Sequence, residues 1–178
     1  MTGSPLAARL SAAIREVPDF PKPGIRFKDI TPVLLDPALF RDTLDALAAW
    51  AKDRGADKIV GVDARGFLFA APVADRLGVG MVPVRKPGKL PHETKSESYD
   101  LEYGVNTLQI HTDAITAGER VVIVDDLLAT GGTVAAAVRL ARGLGGEIAG
   151  AAFVVELGFL DGRALLEGVD SMSLVRFD

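Results

Sequence analysis

Residues 121–133, VVIVDDLLATGGT, hold the densest chemistry in the chain. Four β-branched apolar residues run into two acids, Asp125 and Asp126, and then into a turn of threonine and glycine. A continuous apolar run of this kind predicts a buried parallel strand, and the alanine-rich stretch after Thr133 predicts a helix. The two acids therefore stand at the carboxyl edge of a strand, beside the amino end of a helix, where open α/β sheets bind ligands. Unpaired backbone N–H groups and the helix dipole at that place favour a phosphate. Gly131 and Gly132 let the backbone come close, and Thr130 and Thr133 add hydroxyl donors. The acids would repel a phosphate. They suit ribose hydroxyls, a developing positive charge or a cation. A phosphate cradle beside paired acids points to a ribose 5-phosphate. The stretch has neither the G-x-x-x-x-G-K-[ST] pattern of a Walker loop nor the G-x-G-x-x-G of a dinucleotide site.

Four further stretches carry weaker signals. In GVDARGF, residues 61–67, small residues and Arg65 stand between a strand and a helix. Backbone N–H groups and the guanidinium could hold a diphosphate there; taken alone, an Asp–Arg pair at a strand end is more often a structural ion pair. RKPGKLP, residues 85–91, puts Arg85, Lys86 and Lys89 at the end of a strand and into a polar run. That run is either a solvated basic loop or a loop that closes over a diphosphate and excludes water. SYDLEYG, residues 98–104, offers Glu102 either to the sugar and base or as part of an exposed strand edge. Around Phe27, Pro18, Pro21, Pro23 and Gly24 make a stiff loop. An aromatic face with free backbone groups suits a planar heterocycle, and a rigid surface turn is the plain alternative.

The elements that must position these residues follow from periodicity. Ser4-Pro5 predicts a helix start, with Leu6, Leu10, Ile14 and Val17 on one face. The prolines then end it and impose an extended segment to Phe27. Asp36-Pro37 starts a second helix that Gly55 follows. Residues 58–62 and 80–85 read as strands around a helix over 67–77. Residues 86–98 carry no periodicity, which predicts a functional lid or a disordered tip. Short strands over 101–103 and 107–111 suggest a hairpin through Gly104. After the 121–124 strand and its helix come a strand over 148–156, a short helix near 162–166 and a last strand over 171–177. Strands alternating with helices predict an α/β fold with a central parallel sheet flanked by helices.

Composition excludes much else. At 178 residues the chain predicts one domain, 1–178, with a sizeable core. With 48% hydrophobic and 25% charged residues it reads as a globular protein. A formal net charge of −4 gives no basic footprint for nucleic acid. There is no cysteine, which removes disulfides, thiol nucleophiles and Cys-ligated zinc. The spacing of His92 and His111 matches no metal motif. No apolar run approaches the ~18 residues of a membrane span, and charges interrupt the first twenty positions, so the expectation is a cytoplasmic protein with no membrane partner.

In order and spacing, DFPKPGIRFKDITPVL, GVDARGFLFA, RKPGKLP, SYDLEYG and VVIVDDLLATGGT resemble the type I phosphoribosyltransferases, and within them the adenine phosphoribosyltransferases of purine salvage. The likeness runs from about Val17 to Glu156; residues 158–178 carry no motif. It implies the type I phosphoribosyltransferase fold, with a small N-terminal hood largely from residues 1–33 and a flexible loop at about 86–98. It implies the transfer of a 5-phosphoribosyl group from phosphoribosyl diphosphate (PRPP) to adenine, giving AMP and diphosphate. It also implies Mg²⁺ held mainly by the substrate, and a homodimer.

The resemblance further assigns roles. Asp125 and Asp126 face the ribose hydroxyls, and with Glu102 they form the catalytic set. Ala129, Thr130, Gly131, Gly132 and Thr133 hold the 5-phosphate. Arg65, Arg85, Lys86, Lys89 and Tyr103 serve the diphosphate. Adenine stacks between Phe27 and Leu127, its edge read by backbone near Arg26. Ala129 stands where hypoxanthine–guanine relatives carry an aspartate that assists at N7 of a 6-oxopurine, which favours a 6-aminopurine. Lys28 stands where some members carry arginine. A PRPP-binding regulator on the same scaffold is the rival of another class, against which stand the basic loop and Glu102.

Overall fold

Ser4 caps the first helix, α1 (Pro5–Ala13), by accepting a bond from the Ala7 N–H at 3.2 Å. Pro5 sits at the first turn, where its missing N–H costs nothing. The computed structural model describes residues 4–100 and 105–178. The helix is shorter than its apolar spacing predicts. Ile14 is already extended, and Val17 lies in β1 (Arg15–Pro18). This strand pairs antiparallel with β2 (Arg26–Asp29), Val17 opposite Phe27. The expected single extended run to Phe27 is therefore a folded-back ribbon. Charge explains the difference: Glu16 accepts from Arg26 Nε at 2.8 Å and from Lys28 Nζ at 2.7 Å across the two strands.

Two helices follow, α2 (Thr31–Leu35) and α3 (Pro37–Asp53). Asp36 caps α3 by accepting from the Ala38 and Leu39 N–H groups, each at 2.9 Å. Next come β3 (Lys58–Val62), α4 (Phe67–Leu77) and β4 (Gly80–Val84), then β5 (Thr94–Asp100) and β6 (Val105–His111). The chain continues with β7 (Arg120–Leu128), α5 (Gly132–Gly143) and β8 (Glu147–Leu157). Two short 3₁₀ turns, Gly158–Leu160 and Gly162–Leu166, precede β9 (Ser171–Phe177).

Five strands form one parallel sheet in the order β4-β3-β7-β8-β9. Alternate residues of each strand face opposite sides. Val122 and Val124 join a core with Leu10, Leu47, Phe69 and Val73, from α1, α3 and α4. Val121 and Ile123 join a second core with Val138 and Leu140 of α5 and Leu108 and Ile110 of β6. Helices thus cover both faces, and the sheet is as apolar as a doubly covered parallel sheet requires. From β3 the chain crosses to β4 on one side, and from β7 to β8 on the other. The order reverses between β3 and β7, so a crevice opens at their carboxyl ends. No helix among the described residues is long and apolar enough to cross a membrane.

The expectation of a structureless run over 86–98 fails beyond residue 93. Strand β5 begins at Thr94 and pairs antiparallel with β6 along its whole length. Nothing in TKSESYD alternates between apolar and polar. Its conformation comes from the partner strand and from α5, where Lys95 Nζ donates to the Gly143 carbonyl at 2.7 Å and Arg139 pairs with Glu97. The hairpin is therefore longer than its sequence suggests. The expected strand over 101–103 and the turn at Gly104 lie outside the described residues.

Candidate active site

The crevice between β3 and β7 is a cleft of about 390 Å³. One wall is residues 62–65, the end of β3 and the turn after it. The other is residues 125–131, with 133 and 134, from the end of β7 into α5. The apolar run buries itself in the sheet, but the strand does not stop at the expected residue 124. Strand β7 carries Asp125 and Asp126 within its last residues and pairs with β8 as far as Leu128, because Leu127 and Leu128 extend the apolar run beyond the acids.

Asp125 and Asp126 are 7% and 5% exposed, so both carboxyls are nearly buried. Burial pushes the Asp125 carboxyl well above the usual carboxylate range, and the neighbouring Asp126 charge pushes the same way. The Asp126 N–H, donating to Asp125 Oδ1 at 2.9 Å, pulls against them. Gly66 makes room for this carboxyl. A Cβ there would lie 2.6 Å from Asp125 Oδ1 and 2.6 Å from the Val62 carbonyl oxygen. Asp126 faces the opposite wall, where Arg65 Nε lies 2.6 Å from its Oδ2.

The start of α5 differs from the starts of α1 and α3. Its cap residue is Gly131, at φ +87°, and no side chain bonds its first N–H groups. Thr130, Gly131 and Thr133 at this helix start line the cleft, where its unpaired N–H groups are free for a ligand. The Thr133 hydroxyl also lies 2.9 Å from the Tyr99 hydroxyl of β5.

The structure brings most of the sequence-predicted residues to this one cleft. Arg65, Asp125, Asp126, Leu127, Ala129, Thr130, Gly131 and Thr133 line it, and Gly132 begins α5 between them. Phe27 lies outside the lining but close by, with the Arg65 guanidinium 5.4 Å from its ring centroid and Phe20 edge-on to it at 5.1 Å. The Arg26 side chain is bound to Glu16 on the ribbon. Arg85 reaches the wall indirectly, through Asp63 Oδ2 at 2.9 Å. Lys86 and Lys89 do not line this cleft. Glu102 and Tyr103 lie outside the described residues.

Some residues at the site escaped sequence reasoning. Asp63 reads in the sequence as an ion-pair partner of Arg65, but it lines the cleft and holds Arg85, while Arg65 turns across the cleft to Asp126. Gly66 gave no signal beyond being a glycine before a helix. Among the described residues no three of His, Cys, Asp and Glu are grouped so as to hold a metal ion.

The family model for the phosphoribosyl transferase domain matches residues 34–170. The chain is 60% identical over 164 residues to the adenine phosphoribosyltransferase of Caldanaerobacter subterraneus subsp. tengcongensis, covering 92% of this chain and 95% of that one. Its fold is similar to the adenine phosphoribosyltransferase of Thermoanaerobacter pseudethanolicus, with a TM-score of 0.93 at 56% identity, over 96% of this chain and 99% of that one. It is also similar to the Saccharomyces cerevisiae enzyme, solved with adenine and D-2,5-dideoxy-2,5-imino-altritol 1,6-bisphosphate. There the TM-score is 0.90 at 42% identity, over 95% and 98% of the two chains. With the strand-end acids, the open helix start and the facing arginine on one cleft, the chain belongs to the adenine phosphoribosyltransferase family.

Proposed function

We propose that PRPP binds in the cleft between the β3 and β7 ends, and that adenine enters from the side of the β1–β2 ribbon. The chain transfers the 5-phosphoribosyl group of PRPP to adenine, giving AMP and diphosphate. One observation carries the assignment of the site. Two buried carboxylates share a cleft with a helix start that no side chain caps.

In this reading Ala129, Thr130, Gly131, Gly132 and Thr133 hold the 5-phosphate through backbone N–H groups and hydroxyls. Asp125 and Asp126 face the ribose hydroxyls, and their carboxyl oxygens lie against the positive charge that develops at the anomeric carbon as the diphosphate leaves. Glu102 completes the catalytic set. Arg65 serves the diphosphate from the facing wall, with Arg85, Lys86, Lys89 and Tyr103. Adenine stacks between Phe27 and Leu127, near the Arg26 backbone. The yeast relative, solved with adenine and a bisphosphate, supports two subsites of this kind.

A Mg²⁺ ion, held mainly by the substrate, would supply positive charge against the departing diphosphate. The residues fit an ion carried by the substrate, since no three of His, Cys, Asp and Glu among the described residues are grouped to hold one, Asp63, Asp125 and Asp126 of the lining included. The same reading makes the chain a cytoplasmic homodimer. Residues 1–178 act as one domain, hooded largely by 1–33.

The test is incubation with PRPP and Mg²⁺ and, separately, adenine, hypoxanthine, guanine, xanthine, orotate and uracil. AMP from adenine alone is expected. IMP or GMP would overturn the base assignment, and no product with PRPP still bound would turn the reading toward a PRPP-binding regulator.

A further inference from the structure

The loop assigned to the 5-phosphate leans on a second turn that no motif marks. Gly162, buried at the start of the last 3₁₀ turn, lies directly behind residues 129–131. A methyl group on Gly162 would overlap the Ala129 carbonyl oxygen and lie 3.0 Å from the Gly131 nitrogen. A methyl group on Gly131 would overlap the Gly162 carbonyl oxygen in return. Ordinary carbon contacts are about 3.5–4 Å, so the two backbones touch with no space for a side chain on either.

The next residue fixes this turn to the sheet. Arg163 Nε donates to both oxygens of Glu156, at 2.9 and 3.0 Å, and Nη2 donates to Oε2 at 2.7 Å. Arg163 Nη1 donates to the Ser171 carbonyl at 2.9 Å. Glu156 is buried near the end of β8, where Ser173 Oγ and Arg176 Nη1 also donate to it, at 2.7 and 3.0 Å. Arg163 and Ser173 hold the Glu156 carboxyl below the usual carboxylate range, so it is a fixed anion. A planar guanidinium on a buried carboxylate leaves the turn little freedom.

We propose that Gly162 and Arg163 are positioning residues for PRPP, a backstop that sets where the 129–131 backbone stands against the 5-phosphate. The proposal rests on the reading of 129–133 as the 5-phosphate cradle. Neither residue touches the substrate. Gly162 sets the depth of the loop by contact, and Arg163 locks Gly162 to β8 and β9.

The experiment is steady-state kinetics of wild type, Gly162→Ala and Arg163→Lys, varying PRPP and adenine in turn, with ribose 5-phosphate binding by calorimetry. Thermal unfolding is recorded for each protein. For Gly162→Ala we expect the PRPP KM to rise about tenfold or more, the scale on which an ångström of misplacement tells, with the adenine KM unchanged. Arg163→Lys keeps the charge, loses the two-pronged contact and should shift the PRPP KM the same way by less. Folded variants with an unchanged PRPP KM overturn the proposal, as does an equal rise in both KM values with a lowered unfolding temperature. If Gly162→Ala does not fold, Arg163→Lys decides by the same criteria. Should the wild type make no AMP, the functional reading fails by itself. The backstop is then judged on ribose 5-phosphate binding, and equal affinity in all folded proteins overturns it.

Discussion

Arg65 and Asp126 bridge the cleft, Nε to Oδ2 at 2.6 Å, while the same guanidinium lies 5.4 Å from the Phe27 ring centroid. One side chain thus joins the β1–β2 ribbon to the strand-end acids. The ion pair fixes the direction of the nearly buried Asp126 carboxyl. Removing a charge-assisted hydrogen bond costs about 1.5–3 kcal/mol. With Arg65 read as the diphosphate's partner on this wall, Arg65→Met should raise the PRPP KM by about 10- to 150-fold. Asp126→Ala should lower kcat by about 10²–10³-fold, the scale of losing one preorganised electrostatic group at the transition state, with the circular dichroism spectrum intact. Near-normal turnover in Asp126→Ala would remove that residue from the chemistry.

Asp125 presents the opposite case, a carboxyl that the fold disfavours as an anion. Its pKa stands well above 3.8, through burial first and the Asp126 charge second. At low pH both the folded and unfolded chains hold this proton. As pH rises through 3.8 the unfolded chain releases it first, and stability falls until the folded group ionises too. Asparagine keeps an acceptor for the Asp126 N–H and has no such cost. Asp125→Asn should be more stable than wild type at pH 7 by about 0.5–2 kcal/mol, a usual gain on relieving a functional site. The advantage should vanish toward pH 4, and turnover should fall. Denaturation curves between pH 4 and 8 check the sign, and a less stable variant at pH 7 would refute the argument.

The cleft was legible in the sequence because its residues are contiguous. An apolar run, two acids and a glycine–threonine turn define their own strand, edge and helix start, and β7 and α5 follow. The helix at Ser4-Pro5 was legible at its start and misjudged at its end, because what stops it is Glu16 finding Arg26 and Lys28 ten and twelve residues on. Strand β5 was hidden for the same reason: its residues carry no period, and its partners are β6 and α5. Gly162 was wholly silent. Its contact with Ala129 and Gly131 spans more than thirty residues, and a glycine in a turn looks the same whether or not another backbone lies against it.

Residues 86–93 remain the segment expected to move. Their start is tethered: Arg85 pairs with Asp63, its Nη1 donates to the Lys89 carbonyl at 3.1 Å, and the Gly88 N–H donates to Gln109 Oε1 at 3.2 Å. The far end is tied too, the His92 N–H donating to His111 Nε2 at 3.3 Å and the Thr112 N–H to the Glu93 carbonyl at 3.0 Å. Between these ends the side-chain contacts at Gly88 and Lys89 are exposed, so local opening there should be cheap. Trypsin should cut the bond after Lys89. If PRPP with Mg²⁺ closes the segment, cutting should slow on the order of tenfold at about ten times Kd, by mass action on the open form. Equal rates with and without the ligands would sink the lid.

Tyr99 and Thr133 join the β5–β6 hairpin to the start of α5, hydroxyl to hydroxyl at 2.9 Å. A hydroxyl gives one hydrogen and accepts at its lone pairs. With the Tyr99 phenol as donor, the Thr133 hydrogen is free for a phosphate oxygen, and the threonine is held in one rotamer. Asn106 Nδ2, 3.5 Å from the phenol oxygen, contributes little at that length. Tyr99→Phe leaves the ring packed and lets the Thr133 hydroxyl turn. One neutral hydrogen bond is worth about 0.5–1.5 kcal/mol, so the PRPP KM should rise by about 2- to 12-fold. Adenine KM should hold. The partnership itself is read from a double-mutant cycle with Thr133→Val: once the threonine hydroxyl is gone, Tyr99→Phe should have almost no further effect on the PRPP KM. Additive effects would show that the two hydroxyls act separately. A lowered unfolding temperature with unchanged kinetics would make the contact structural alone.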